Sequence, residues 1–84
     1  MPATKPFPKD SPKPDPEIYQ RRVATKVRTW RAEQQLTQEA VAAQCGFTSM
    51  TLKRLEACKV IPDLKTLVLL GHAMGITPSD LLLP

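Results

Sequence analysis

The sequence has few of the residues that build metal sites and disulfide frameworks. Its two cysteines, Cys45 and Cys58, and its single histidine, His72, are too few for a zinc quartet or for several disulfide bridges. No apolar stretch is long enough to span a bilayer, and no charged start is followed by an apolar segment that would direct secretion. We therefore expect a cytoplasmic protein with no metal, no cofactor and no membrane partner.

Aromatic side chains are also scarce, at 5% of residues against 42% hydrophobic residues in all, so any core must be aliphatic. The length of 84 residues allows one small domain. Six of the nine prolines fall in the first sixteen residues, where they remove backbone donors and leave little apolar surface to bury. We expect residues 1–14 to be a disordered proline-rich tail and residues 15–84 to be the folded domain.

The residues needed for catalysis are missing as well. The one histidine falls on the polar side of a predicted helix, no pair of acids stands at a plausible site, and no glycine-rich phosphate loop is present. An enzyme is therefore not expected. Basic residues do cluster, because residues 17–35 hold five of them against two acids and residues 48–62 add three against one. This charge indicates a polyanionic partner, and the alternative is a solvated helix face.

Capping residues and apolar spacing predict five short helices and no strand, which makes the fold class all-α. The expected helices are residues 16–34, 38–45 and 49–57, one from Pro62-Asp63 to Met74, and a short one after Thr77 that contains Leu81 and Leu82. In the fourth helix we expect the buried residues to be Leu64, Leu67, Val68 and Leu70. Leu69, about 100° round from its neighbours, is then expected to face solvent.

The turn between the second and third helices carries the functional signal. Gly46 ends one helix, since glycine reaches left-handed backbone angles without a steric penalty, and Thr48 caps the next. Ala42 is small enough to let the two helices approach, while Leu52 and Leu55 hold the third helix on the core. These features together predict a helix-turn-helix.

Residues from about 23 to 83 resemble the phage-repressor and Cro-type helix-turn-helix family of DNA-binding regulators. The matching residues are Trp30-Arg31, Leu36-Thr37-Gln38-Glu39, Val41-Ala42, Cys45-Gly46-Phe47-Thr48, Leu52, Leu55-Glu56, Pro62, Leu67, Leu70, Ala73-Met74-Gly75-Ile76 and Leu81. The resemblance implies a five-helix domain that binds operator DNA as a dimer and usually represses transcription.

One position departs from the family pattern. Cys58 stands two residues after Glu56, where the family usually has glycine. If the backbone has positive φ at Cys58, the strain is about 1 kcal/mol or more. The alternative is that the third helix continues further.

The outward face of the third helix predicts how bases are read. The expected base contacts are Thr48, Ser49, Met50, Lys53 and Arg54. Arg54 can donate two hydrogen bonds to guanine O6 and N7, Lys53 can do the same or contact phosphate, and Met50 offers an apolar surface to a thymine methyl. The alternative is that Lys53 and Arg54 only solubilise the domain.

Contacts to the DNA backbone are expected around the second helix. The expected phosphate contacts are Thr37, Gln38, Arg31 and Lys59. Gln38 lies in the first helical turn, where free backbone N–H groups and the helix dipole favour an anion. The family resemblance further implies an ion pair between Arg31 and Glu56 that joins the first helix to the third; the alternative is two unrelated surface charges.

Leucines beyond the needs of a monomer predict a homodimer. The expected interface is Leu69, Leu81, Leu82 and Leu83, although Leu81 and Leu82 can also cover the core. The alternative is a monomer whose terminal leucines fold back on their own core. A second function stays open, that of an antitoxin or interaction module that binds a partner protein through the tail or these leucines.

Overall fold

The computed structural model describes residues 15–84, and this part of the chain forms five α-helices without a strand. The helices are α1 (Pro16–Glu33), α2 (Gln38–Cys45), α3 (Ser49–Glu56), α4 (Leu64–Met74) and α5 (Pro78–Leu82). The predicted all-α fold is confirmed, and α1 and α3 each end one residue before the expected position. The tail predicted for residues 1–14 lies outside the described residues. None of the described helices is long and apolar enough to cross a membrane.

Each helix begins at a side-chain cap, because the first-turn N–H groups have no intrahelical partner. The capping residues are Asp15, Thr37, Thr48, Asp63 and Thr77. In α5 the cap is reciprocal: Thr77 Oγ1 accepts from the Asp80 N–H at 3.3 Å, and Asp80 accepts from the Thr77 N–H at 3.1 Å. Helices of eight residues, such as α2 and α3, are unstable alone. Their stability therefore depends on these caps together with packing against the core.

The core lies where the helices meet and is almost wholly aliphatic. Its buried residues are Val23, Val27, Val41, Ala42, Cys45, Leu52, Leu55, Leu70 and Leu81. Trp30 is partly buried and packs against this cluster. The inward faces predicted for α2 and α3 are therefore the ones observed.

The predicted inward face of α4 is correct for Leu67 and Leu70 and wrong for Leu64, Val68 and Leu69. Leu64 is 73% exposed and Val68 is 48% exposed, whereas Leu69 is partly buried and packs against the core. The buried side centres on Leu70, and Val68 lies about 160° from it round the helix. Leu69 also offers its carbonyl oxygen to the buried thiol of Cys45, with 3.9 Å between the oxygen and Sγ.

Gly71 permits a close contact between α4 and the segment that leads into α5. A Cβ at this position would lie 2.8 Å from the carbonyl oxygen of Ile76 and 3.3 Å from the nitrogen of Pro78. Only glycine lets α4 approach the start of α5 so closely. The contact lies on the same side of α4 as Leu67, which is four residues earlier.

The backbone after α3 has the strained conformation. Cys58 has φ 56°, in the left-handed region, so α3 ends at Glu56 and does not continue. The turn is closed by hydrogen bonds from the Cys58 N–H to the Leu55 carbonyl at 3.1 Å and from the Lys59 N–H to the Arg54 carbonyl at 2.9 Å.

Cations of α1 hold α5 in place. Arg22 Nη1 donates to the Leu82 carbonyl at 3.2 Å, and the Lys26 ammonium donates to the Asp80 carbonyl. Carbonyls in the last turn of a helix lack intrahelical donors, so Arg22 satisfies that of Leu82. The Lys26 bond adds to the one that the Asp80 carbonyl accepts from the Leu83 N–H at 3.3 Å. Leu81 beneath them is 0% exposed. Leu81 therefore covers the core, as the sequence allowed, and its contact with a second copy stays a prediction.

Candidate nucleic-acid interface

The exposed face of α3 is set by the residues that this helix buries. Leu52 and Leu55 lie in the core, and Met50 and Arg54 lie on the opposite side, exposed to solvent. Thr48 and Lys53 are also exposed, while Ser49 is half-buried on the flank of the helix. Five side chains predicted to contact bases therefore lie along or beside one accessible helix face.

Thr51 joins this surface, although the sequence analysis missed it. Its hydroxyl lies 3.1 Å from the hydroxyl of Thr48, and its own N–H donates to Thr48 Oγ1 at 3.3 Å. A threonine three residues after a threonine cap is the spacing that brings the two hydroxyls together, and this signal was present in the sequence. Thr51 also lines a cavity of about 210 Å³ together with Arg54, Asp63 and Thr66.

Lys53 points towards α2 and does not stand free. Its ammonium lies 4.0 Å from the Glu39 carboxylate, and both side chains are more than half exposed. An exposed pair of this kind is weak. Lys53 therefore keeps the freedom to turn towards an anion, whereas Glu39 places a negative charge beside the reading face.

The structure brings Arg31 and Glu56 together. Arg31 donates from Nε to Glu56 Oε2 at 3.0 Å and from Nη2 to Oε1 at 2.9 Å. Glu56 is only 5% exposed. The hydrogen bonds with Glu56 raise the pKa of Arg31, and burial opposes this effect. The remaining terminal nitrogen of Arg31 donates to the Leu36 carbonyl at 3.1 Å, so all three guanidinium nitrogens are bonded within the chain.

Gln38 extends this network to the first residue of α2. Its Nε2 lies 3.4 Å from Glu56 Oε1, so one carboxylate receives bonds from α1 and α2. Thr37 uses its hydroxyl to accept from the Ala40 N–H at 3.1 Å. The two residues thus lie at the N-terminus of α2, where an anion is favoured. Lys59 is exposed at the other end of the motif, just beyond α3.

Much of the positive charge of α1 stabilises the fold. Arg31 is held by Glu56, Arg22 and Lys26 donate to carbonyls of α5, and Arg21 lies 3.8 Å from Glu17. The run of cations that indicated a polyanion is therefore largely occupied within the chain. The cations that lie on or beside α3 are Lys53, Arg54 and Lys59.

Within 15–84, the histidine, cysteine and acidic side chains form no group that could hold a metal ion. Cys45 and Cys58 are both free thiols, and burial raises the pKa of Cys45.

Comparison with known proteins agrees with this geometry. Residues 27–81, about two thirds of the chain, match the family model described as Helix-turn-helix. No curated protein matches the chain.

Two solved structures share the fold. A hypothetical transcription factor, NHTF, from Neisseria is 26% identical, with a TM-score of 0.75, over 88% of this chain and 85% of that one. The clp gene regulator ClgR from Corynebacterium glutamicum is 22% identical, with a TM-score of 0.68, over 84% of this chain and 72% of that one. The family match and the shared fold support a DNA-binding transcriptional regulator.

Proposed function

The chain belongs to the helix-turn-helix family, and from that premise we propose that it is a sequence-specific repressor that binds a pseudo-palindromic operator as a dimer. The observation that carries this proposal is the exposed α3 face, with Met50 and Arg54 opposite a buried leucine side. An eight-residue helix anchored in this way can enter the major groove without unfolding any part of the core.

Base readout is assigned to the exposed face. Arg54 donates its two parallel hydrogen bonds to guanine, and Met50, one turn earlier, covers a thymine methyl. Thr48, Ser49 and Thr51 supply hydroxyl groups at the start of α3, where the helix meets the base edges first. Lys53 contacts either a base or a phosphate once its ion pair with Glu39 is broken.

Phosphate contacts are assigned to the N-terminus of α2 and to Lys59. The backbone N–H groups of the first turn and the Gln38 amide form one contact, and the Lys59 ammonium forms another on the far side of α3. The Glu56 carboxylate is bonded to Arg31 and Gln38, so it does not confront the phosphates as a free charge. A phosphate role for Arg31 stays a prediction, because its nitrogens already have partners.

Dimerisation follows from the size of the reading helix. Eight residues of α-helix span about 12 Å, which covers only a few base pairs of a duplex. Two copies that read half-sites about 34 Å apart double the recognised sequence. The description of the similar Neisseria protein as a hypothetical transcription factor supports a role in transcription, and a protein that occupies an operator can repress by blocking it.

The experiment that tests this function is selection of bound sequences from random double-stranded DNA by the full chain. We expect an inverted repeat whose half-sites are about ten base pairs apart. Recovery of a single half-site would remove the dimer from the proposal. If no sequence is enriched over random DNA, the regulator assignment itself is wrong.

A further inference from the structure

A hollow of about 330 Å³ lies beside the start of α1 and the α3–α4 loop. Apolar residues make up most of its lining, among them Pro16, Tyr19, Val23, Ile61, Pro62 and Leu67. Tyr19 is 45% exposed and Ile61 is 69% exposed, so both leave apolar surface open at the hollow. A concave apolar surface of this size fits a large apolar side chain.

Contacts within the chain restrain the walls of the hollow. Gln20, which also lines it, donates from Nε2 to the Val60 carbonyl at 2.7 Å and so joins α1 to the α3–α4 loop. The guanidinium carbon of Arg22 lies 5.3 Å from the centre of the Tyr19 ring, a cation–π contact that restrains the ring. Because these walls are already ordered, filling the hollow costs little conformational entropy on the side of the domain.

We propose that the hollow binds a segment of the chain's own N-terminal region, Pro6-Phe7-Pro8, with the Phe7 ring inserted as the anchor. We call these three residues the anchor segment. Residues 1–14 contain five prolines and three lysines but one aromatic residue, Phe7. An aromatic ring gains more from burial than the other side chains of this region, so Phe7 is the residue that the hollow selects.

The connectivity of the chain supports this occupant. Pro16, the first residue of α1, lies in the lining, so the chain that precedes it leaves the domain at the hollow. Phe7 is nine residues before Pro16, and an extended chain of that length spans at most about 30 Å. Between them, Lys9-Asp10-Ser11 is the longest stretch without proline, and aspartate and serine favour turns. The anchor segment can therefore fold back and reach the hollow.

Tethering favours the anchor segment over an occupant from another molecule. A short linker holds its ligand at an effective concentration of about millimolar. A second copy or another protein must reach a similar concentration in solution to compete. The prolines on both sides of Phe7 also restrict its backbone, so less entropy is lost when it docks.

Docking brings positive charge towards the reading helix. Ile61 and Pro62 line the hollow and also the cavity that Arg54 borders, so the hollow adjoins the end of α3. Lys5 and Lys9 flank the anchor segment. The docked segment therefore adds two cations on this side of the domain. The docking itself needs no DNA and does not rest on the proposed function.

Tryptic cleavage of the full chain without DNA measures how much of the anchor segment is docked. Within residues 1–14, Lys9–Asp10 is the bond that trypsin can cut, because Lys5 and Lys13 each precede proline. A protease needs an extended, accessible segment on both sides of the bond, and Phe7 is only two residues before Lys9. The cleavage rate therefore follows the population of the undocked segment.

The test variants are Phe7→Ala, which removes the anchor, and Ile61→Glu, which places a charge in the wall of the hollow. Ile18→Glu is the matched control, because Ile18 is 40% exposed but borders a different cavity. We expect each test variant to raise the cleavage rate about threefold or more, since each removes apolar contact that favours docking. Ile18→Glu should change it by less than about 1.5-fold, and circular dichroism should show the same helix content in all four proteins.

Equal cleavage rates in all four proteins would show that the anchor segment is not docked and would overturn the proposal. Acceleration by Phe7→Ala but not by Ile61→Glu would also overturn it, because Phe7 would then dock elsewhere. NMR of a mixture of isotope-labelled and unlabelled full chain identifies the source of the ring. Contacts between the Phe7 ring and the Ile61 methyl groups within one molecule support the proposal, and contacts found only between molecules would make a second copy the occupant and overturn it.

Discussion

Arg31 holds the carboxylate of Glu56 with two hydrogen bonds, of 3.0 and 2.9 Å, and thereby fixes the end of α3 to α1. Glu56 is nearly inaccessible to water, and its carboxylate has the Arg31 guanidinium and the longer contact with Gln38 as its side-chain partners. The net stabilisation from such a pair is small, because desolvation opposes attraction. Its stronger effect is on orientation: it sets the direction in which α3 presents Met50 and Arg54.

Removing one residue of the Arg31–Glu56 pair should therefore lower the free energy of unfolding more than removing both residues. Arg31→Met leaves the Glu56 carboxylate buried without compensation, and we expect it to lower the free energy of unfolding by about 3 kcal/mol. The double variant Arg31→Met, Glu56→Met should recover most of that stability. Urea denaturation followed by circular dichroism measures both. Arg28→Met, an exposed arginine of the same helix, is the control and should change stability by less than about 0.5 kcal/mol.

If Arg54 contacts a base and Lys59 contacts a phosphate, their alanine variants should differ in how they change affinity for the selected site and for random DNA. Arg54→Ala should cost about 1 to 3 kcal/mol on the selected site and little on random DNA. Lys59→Ala should weaken both by a similar factor and reduce the slope of log K against log salt by about one. Fluorescence anisotropy at several salt concentrations separates the two. Equal losses in Arg54→Ala would make Arg54 a phosphate contact.

The residue after α3 offers a test of stored strain. Cys58 has φ 56°, which a residue with a Cβ reaches at a cost of about 1 kcal/mol or more. Cys58→Gly should therefore stabilise the domain, by up to about 1 kcal/mol after the entropy of the unfolded glycine is subtracted. Ala57→Gly is the matched control, because Ala57 has φ −88° and gains nothing. A loss of stability in Cys58→Gly would show that the thiol contributes more than the strain costs.

How much the sequence could predict depends on the kind of signal. Caps and glycine turns are local, so α2, α3 and the Gly46 turn between them were predicted correctly. The rotation of α4 was not, because leucine or valine occupies so many of its positions that the apolar pattern suits more than one face. Tertiary contacts decide between them, and the close approach of Gly71 to the segment that leads into α5 is one of these contacts. The hydrogen bonds from Arg22 and Lys26 to carbonyls of α5 could not be predicted for the same reason, because they too are tertiary contacts.

Acid should loosen the start of α5. Hydrogen bonds from Thr77 lower the pKa of Asp80, with the backbone bond the larger cause, and the bonds to Thr66 lower that of Asp63. A carboxylate with a lowered pKa in the folded state contributes stability above its unfolded pKa of about 3.9, and loses it as the pH falls through the folded value.

The free energy of unfolding should therefore fall on acidification below about pH 4, and less steeply in Asp80→Asn than in the natural chain. Chemical denaturation at a series of pH values measures this difference. Glu33→Gln removes an exposed negative charge outside the caps and serves as the control. Identical pH dependences for Asp80→Asn and the natural chain would show that the cap does not couple to protonation.

The close backbone contact at Gly71 predicts a destabilising substitution where helix propensity predicts the opposite. Alanine is a better helix former than glycine by about 1 kcal/mol, so helix propensity alone predicts that Gly71→Ala stabilises α4. The added Cβ would, however, lie 2.8 Å from the Ile76 oxygen and 3.3 Å from the Pro78 nitrogen. Both are backbone atoms, so α4 and α5 must separate to admit the methyl group. We expect a net loss of about 1 to 3 kcal/mol in the free energy of unfolding.

The control is His72→Ala, on the exposed side of α4, which should change the free energy of unfolding by less than about 0.5 kcal/mol. A Gly71→Ala protein as stable as this control would mean that α5 can move away from α4 at no cost.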